Sequence, residues 1–288
     1  MMDQAENLRK MLKKKHSVIA RTIAVVSGKG GVGKTNISVN TAISLSKRGK
    51  KVLIFDFDIG MGNVNVLLGV DSKYTISDFL EHQIPIQDII FTAPNQISYI
   101  SAGNGFDNII ELNREAIDRL LSELEELQYI YDYIIFDMGA GATKANIQIL
   151  LSVDDIFVIT TPEPTAITDA YSMMKYIVLN EVEADHRLFL ICNRSEREKE
   201  GFQTLERLQI AMKKFLNKEI LILGVLPEDS HVRKSVIRQV PFLSEFPRSS
   251  ITEYLEKIIQ TYLGEAKLAM HSSQSNPFIR KLRSFFER

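Results

Sequence analysis

The chain has 288 residues, 45% of them apolar, and a formal net charge of −1, the make-up of an ordinary globular protein with a sizeable core. That charge excludes a general affinity for nucleic acid, so any basic site must be local, and DNA is an unlikely partner. One cysteine, Cys192, excludes an internal disulfide and any thiolate-cage metal site, and no apolar run approaches the roughly 18 residues of a membrane span.

Residues 1–15 are polar and basic, with Arg9, Lys10, Lys13, Lys14 and Lys15 set against Asp3 and Glu6. Their apolar set is narrow: Ala5, Leu8, Met11 and Leu12. This fits a short helix that folds on a partner, and equally a solvated leader. No signal peptide is present, so a cytosolic protein is expected.

Thr22 to Val26 reads as a short buried strand, and Asn36 to Arg48 has amphipathic helical spacing. Between them, Gly28-Lys29-Gly30-Gly31-Val32-Gly33-Lys34-Thr35 satisfies the phosphate-loop pattern GxxxxGK[ST] in the strand–loop–helix context it needs. The glycines let backbone N–H groups approach phosphate oxygens, and the helix N-terminus adds partial positive charge behind them. Lys34 is expected to reach the β- and γ-phosphates, and the Thr35 hydroxyl to ligate magnesium. With Asn36 in the first turn, this run is the nucleotide-binding element, and ATP with Mg2+ the expected cofactors.

A second strand, 51–57, ends in Asp56-Phe57-Asp58-Ile59-Gly60. Carboxylates at i and i+2 on a strand share a face. Beside a phosphate loop, Asp56 would orient the water shell of the metal while Asp58 positions or deprotonates the attacking water. A short strand over 97–100 and a helix over 113–128 follow, with Asn113 as its N-cap. The strand 132–137 closes on Asp137, the expected magnesium-supporting acid, and Gly139 and Gly141 frame a loop that could sense the γ-phosphate.

The strand 155–160 leads to a helix over 165–180, capped by Thr165. A further strand over 187–192 is followed by Asn193, a helix over 201–216, and a strand over 219–226 followed by Pro227-Glu228-Asp229. These loops lie at strand C-termini, where a nucleotide base would rest. Taken together, the elements predict an α/β fold, a doubly wound and mostly parallel sheet flanked by helices.

Residues 271–277 read as part of a flexible linker over 266–277. Beyond it, Phe278, Ile279, Leu282, Phe285 and Phe286 share one helical face, and Arg280, Lys281, Arg283 and Arg288 against Glu287 leave a net charge of +3 before the terminal carboxylate. A basic helix with such a face reads as a reversible anchor for anionic lipid, or as a terminal helix docked on the protein's own core. The expected organisation is thus a leader over 1–20, an ATPase domain over 21–265, the linker, and an amphipathic helix over 278–288.

Lys29 to Thr35, with its extra lysine, resembles the deviant phosphate loop of the MinD/ParA class of ATPases. Asp56 to Gly60, Asp137, Asn193 and Pro227-Glu228-Asp229 match that class in order. The resemblance implies that Lys29 reaches the partner's nucleotide in trans, that ATP favours a homodimer, and that Asp58 aids attack by water in a slow ATPase. It also implies that Asn193, Pro227 and Glu228 meet the base. Asp3-Gln4-Ala5-Glu6-Asn7-Leu8-Arg9 resembles the amino-terminal motif of the FlhG (YlxH/FleN) family of flagellar-number regulators. That resemblance implies stimulation of the GTPase FlhF through Asp3, Gln4, Ala5, Leu8 and Arg9, contact with cytoplasmic C-ring components of the flagellum, and reversible attachment to the inner face of the cell membrane. The alternatives are a division-site regulator of MinD type and a DNA-partitioning ATPase of ParA type.

Overall fold

The structure is a computed structural model, and it describes residues 19–57, 64–70, 72–101, 114–139, 144–180, 186–269 and 277–286. Runs of Val, Ile, Leu and Phe form its strands: β1 (Arg21–Val26), β2 (Val52–Phe57), β3 (Phe91–Thr92), β4 (Ser98–Ser101), β5 (Tyr133–Met138), β6 (Asp155–Thr160), β7 (Arg187–Ser195) and β8 (Leu221–Pro227). Branched and aromatic side chains suit a pleated surface. A near-continuous apolar run marks a strand covered on both faces, and β2, β5 and β6 are buried at every residue. The sheet order is β3-β4-β2-β5-β1-β6-β7-β8, parallel except where β3 meets β4. The expected doubly wound sheet is therefore the one found.

The helices are α1 (Lys34–Lys47), α2 (Val64–Leu68), α3 (Ile76–His82), α4 (Ile86–Ile89), α5 (Arg114–Ile130), α6 (Lys144–Leu150), α7 (Pro164–Leu179), α8 (Glu198–Leu216), α9 (Ser230–Arg238), α10 (Phe242–Glu245), α11 (Ser250–Ala269) and α12 (Pro277–Phe286). Two apolar layers sandwich the sheet. Ile23, Val25, Ile54 and Ile135 face α1 and α11, through Ile37, Ile43, Leu255 and Ile259. Ala24, Val26, Phe55 and Phe136 face the other way, into a layer that holds Leu120 and Leu124 of α5, Met174 of α7 and Leu205 of α8.

Several elements differ from expectation. Helix α7 begins at Pro164 with Glu163 as its cap, ahead of the predicted cap at Thr165. Proline at the first helical position needs no N–H partner and presets φ. Helix α11 lies beyond the predicted elements, and it runs into the first residues of the expected linker. The short α2, α3, α4, α9 and α10 fall below the length at which helical periodicity is readable. Strand β7 continues past Cys192 to Ser195 through a register shift against β8. Residues 1–18 of the leader, the predicted cap Asn113, most of the linker and the last two residues lie outside the described residues.

The terminal helix α12 lies against α5 and α6. Phe278, Ile279 and Leu282 are buried, Phe278 to 1% exposure, and Phe285 and Phe286 pack at the edge of the same layer. The Phe278 ring lies 5.5 Å from Phe136 of β5, which itself stacks on Phe55 of β2 at 5.4 Å. The five residues expected to face lipid therefore complete the chain's own core in this conformation.

Candidate functional site

The C-terminal ends of β1, β2 and β5 meet at the phosphate loop. β1 lies between β5 and β6, so the loop leaving it emerges at the centre of the sheet. Gly33 caps α1 with φ 97°, a left-handed conformation that favours glycine. A Cβ there would also lie 2.4 Å from Nδ2 of Asn193. At the loop's start, a Cβ on Gly28 would fall 2.1 Å from the backbone carbonyl of Asp169 on α7. Gly33 is fixed by turning and by close approach, Gly28 by close approach. Lys34 is buried at the head of α1, with Thr35 and Asn36 following it in the first turn.

Asn193 sits in the register shift of β7 and donates from Nδ2 to the carbonyl of Val32 at 2.8 Å. It thereby ties the loop to the far side of the sheet, and its other amide atom, Oδ1, is an acceptor of the kind a base edge can use. Next to it, Arg194 adopts φ 58° and pairs with Glu228 at 3.0 Å. Pro227 ends β8. Asp229 holds its own neighbourhood together. It caps α9 through the His231 N–H at 2.8 Å and accepts from the Ser250 hydroxyl at 2.9 Å. Burial alone would raise its pKa, but these hydrogen bonds and the His231 ring hold it below the ordinary value.

Asp56 and Asp137 stand opposite each other on neighbouring parallel strands, and both are buried. Asp56 accepts from the Val64 N–H at 3.2 Å, which fixes the start of α2. Asp137 accepts the Ser38 hydroxyl on Oδ1 at 2.8 Å, while its buried Oδ2 accepts no hydrogen bond from the described residues. Burial, then the charge of Asp56, pushes the Asp137 carboxyl up to about 7, against the pull of Thr35, Ser38 and Lys34. An orphaned carboxylate oxygen beside a phosphate loop fits a hard cation. Among the described residues no cluster of three or more His, Cys, Asp or Glu side chains could hold one, so hydroxyl, phosphate and water oxygens would complete a magnesium shell. Asp58 lies outside the described residues, as do Gly60 and Gly141.

Lys29 is held within its own chain. Its ammonium donates to Glu163 at 2.8 Å and to the Thr165 hydroxyl at 3.1 Å, both at the N-terminus of α7. The lysine remains 41% exposed, so it is screened and free to exchange partners. Sequence reading does not single out Ser38, Glu163 or Asp169. Each lies beyond the motifs, and only packing brings them to the loop.

The thiol of Cys192 is buried in β7 and pushed up to about 12 by that burial, which makes it inert at neutral pH. No helix among the described residues is long and apolar enough to cross a membrane.

Residues 18–263 match the ParA family model, described as NUBPL iron-transfer P-loop NTPase. The chain is similar to the antiactivator FleN of Pseudomonas aeruginosa, with 31% identity over 240 residues, 83% of this chain and 85% of that protein. It is 36% identical over 239 residues to the flagellum site-determining protein YlxH of Helicobacter pylori, covering 82% of this chain and 79% of the relative. Its fold is like that of the septum site-determining protein MinD of Pyrococcus horikoshii complexed with Mg-ADP, with a TM-score of 0.69 and 26% identity over 89% of this chain and all of that one. The loop at 28–35, the paired acids Asp56 and Asp137, and these likenesses agree: the chain belongs to the ParA/MinD family of P-loop NTPases, with FleN and YlxH among its relatives.

Proposed function

We propose that this chain is an ATP-dependent, dimerising switch that attaches reversibly to the membrane and sets the number and placement of flagella, stimulating the GTPase FlhF through its leader. The observation that carries the reading is the loop itself, with its second lysine, Lys29, parked at an exposed edge on Glu163 and Thr165. A lysine held so loosely can leave for a partner's phosphates when two copies face each other.

Magnesium, when bound with nucleotide, screens the charge on the phosphates and orders the water around them. Lys34 would bind the β- and γ-phosphates, the Thr35 hydroxyl would reach the metal, and Asp137 would offer Oδ2 to its shell. Asp56 would orient the same shell and Asp58 would hold the attacking water. Asn193 keeps the loop closed against β7. Hydrolysis is slow because it times a state and turns over no metabolite.

The tail supports a link between nucleotide and membrane. Phe278 rests on Phe136, one residue before Asp137, and α12 also touches α6, which begins just past the glycine loop after β5. A shift of that loop on nucleotide binding would loosen the seat of α12 and free its face for anionic lipid. Two tails on one dimer then bind by avidity.

The fold likeness to MinD favours one other reading, a division-site regulator with the same chemistry and another client; deletion of 1–20 should then leave its function intact. A test that separates the two is GTP hydrolysis by purified FlhF, with and without a peptide spanning Met1 to Ala20. Stimulation that disappears when Gln4 and Arg9 become alanine is expected. No stimulation by the peptide or by the ATP-loaded full chain would overturn the flagellar reading.

A further inference from the structure

Serine and threonine hydroxyls inside helices commonly donate back to the carbonyl four residues earlier. This chain does so at Thr168 to Pro164, Ser172 to Thr168 and Thr261 to Lys257. Ser38 does not. It is completely buried on α1, and its hydroxyl crosses to β5 to donate to Oδ1 of Asp137 at 2.8 Å. Ser38 lies one turn beyond Lys34 and Thr35, on the helix face turned towards β5. A serine hydroxyl has one proton to give, and here it goes to the acid beside the phosphate site.

We infer that Ser38 is a positioning residue for the magnesium of the nucleotide: by occupying Oδ1 of Asp137 it aims the unpartnered Oδ2 into the metal's shell. Two features of the geometry support this. The other oxygen of the carboxyl is buried and meets no donor in good hydrogen-bonding geometry among the described residues, although Thr35 of the same helix also pulls on the group. The hydroxyl comes from the same helix that carries Lys34 and Thr35. One rigid element thus sets the phosphate-binding lysine, the metal-binding hydroxyl and the orientation of the supporting acid. A donor that holds one atom of such a group fixes how the other faces the metal, and so tunes metal affinity. Without the hydroxyl, Asp137 would be free to rotate and would bury both oxygens without a fixed donor.

The inference rests on the reading of the chain as a magnesium-dependent nucleotide switch, and it is tested with the full chain and a fluorescent ADP analogue. Binding is followed while Mg2+ is titrated, and again in chelator; Mn2+ binding in the presence of ADP is read independently by electron paramagnetic resonance. Ser38→Ala should raise the half-saturating Mg2+ and Mn2+ concentrations about tenfold, the usual scale for a hydrogen bond to a charged group. Binding in chelator should stay within about twofold of wild type, and Ser38→Thr, which keeps the hydroxyl, should recover most of the loss. Unchanged metal dependence in folded Ser38→Ala would overturn the inference, as would an equal loss in chelator, which would mark a purely structural serine. Should the alanine variant fail to fold, Ser38→Cys keeps the shape with a weaker donor and is judged by the same criteria. A wild-type chain that binds nucleotide with no response to either metal would instead sink the underlying reading.

Discussion

At the scale of single residues, Asp137 concentrates the chemistry and bears a cost for it. Its folded-state pKa of about 7 lies well above the 3.8 of an unperturbed aspartate. In the nucleotide-free protein the group therefore keeps its proton between those values when folded and loses it when unfolded. Stability falls as pH rises from about 4 to about 7 and levels off above, where both states are charged and the folded one holds a desolvated anion. Asp137→Asn removes this penalty. The variant should melt at a higher temperature than wild type at about pH 8 and converge with it towards about pH 5, while losing magnesium-dependent nucleotide binding. Thermal melts without nucleotide across that range check the sign. The motif at 28–35 and the acid at Asp137 were legible from spacing alone. Ser38 and the Asn193–Val32 tie were not, because one depends on how α1 seats on β5 and the other on how β7 lies beside the loop, which no spacing encodes.

At the scale of elements, the terminal helix separates pattern from placement. Its apolar stripe and basic flank were readable, and the stripe fits a membrane surface and a core equally well. Packing decided: Phe278 sits among Phe136, Phe55 and the apolar layer under α5. Phe278→Ala should therefore destabilise the nucleotide-free chain by up to about 3 kcal/mol, towards the lower end for a buried phenylalanine. Chemical denaturation reads this directly. An unchanged midpoint would mean that the tail is not part of the folded core. Helix α11, which the sequence reading missed, teaches a related lesson. Its apolar face was present in the sequence, but what it covers, the layer around Ile23, Val25 and Phe157, exists only once β1 and β6 are adjacent.

At the scale of the whole molecule, the two ends of the sheet do different things. The C-terminal edge carries the loop and the acids. The opposite edge is stapled by Asp155, which is fully buried and accepts from Arg21 at 2.9 Å, Arg187 at 2.9 Å and the Tyr262 hydroxyl at 2.7 Å. That one carboxylate ties β1, β6, β7 and α11 together. Removing its charge would strand two guanidinium groups, so Asp155→Asn should cost about 3–5 kcal/mol. Nucleotide affinity of the remaining folded protein, measured by titration calorimetry, should be unchanged, since the network lies at the far end of the strands. The sequence by itself determined the fold class, the phosphate loop, the order of the acids and the family, because strand periodicity and a contiguous glycine-lysine motif are local signals. The tertiary structure alone decided that Lys29 rests on Glu163, that Ser38 serves Asp137, and that the amphipathic tail lies in the core. Each of these joins residues that are distant along the chain, and only the closing of the sheet determines which of them meet.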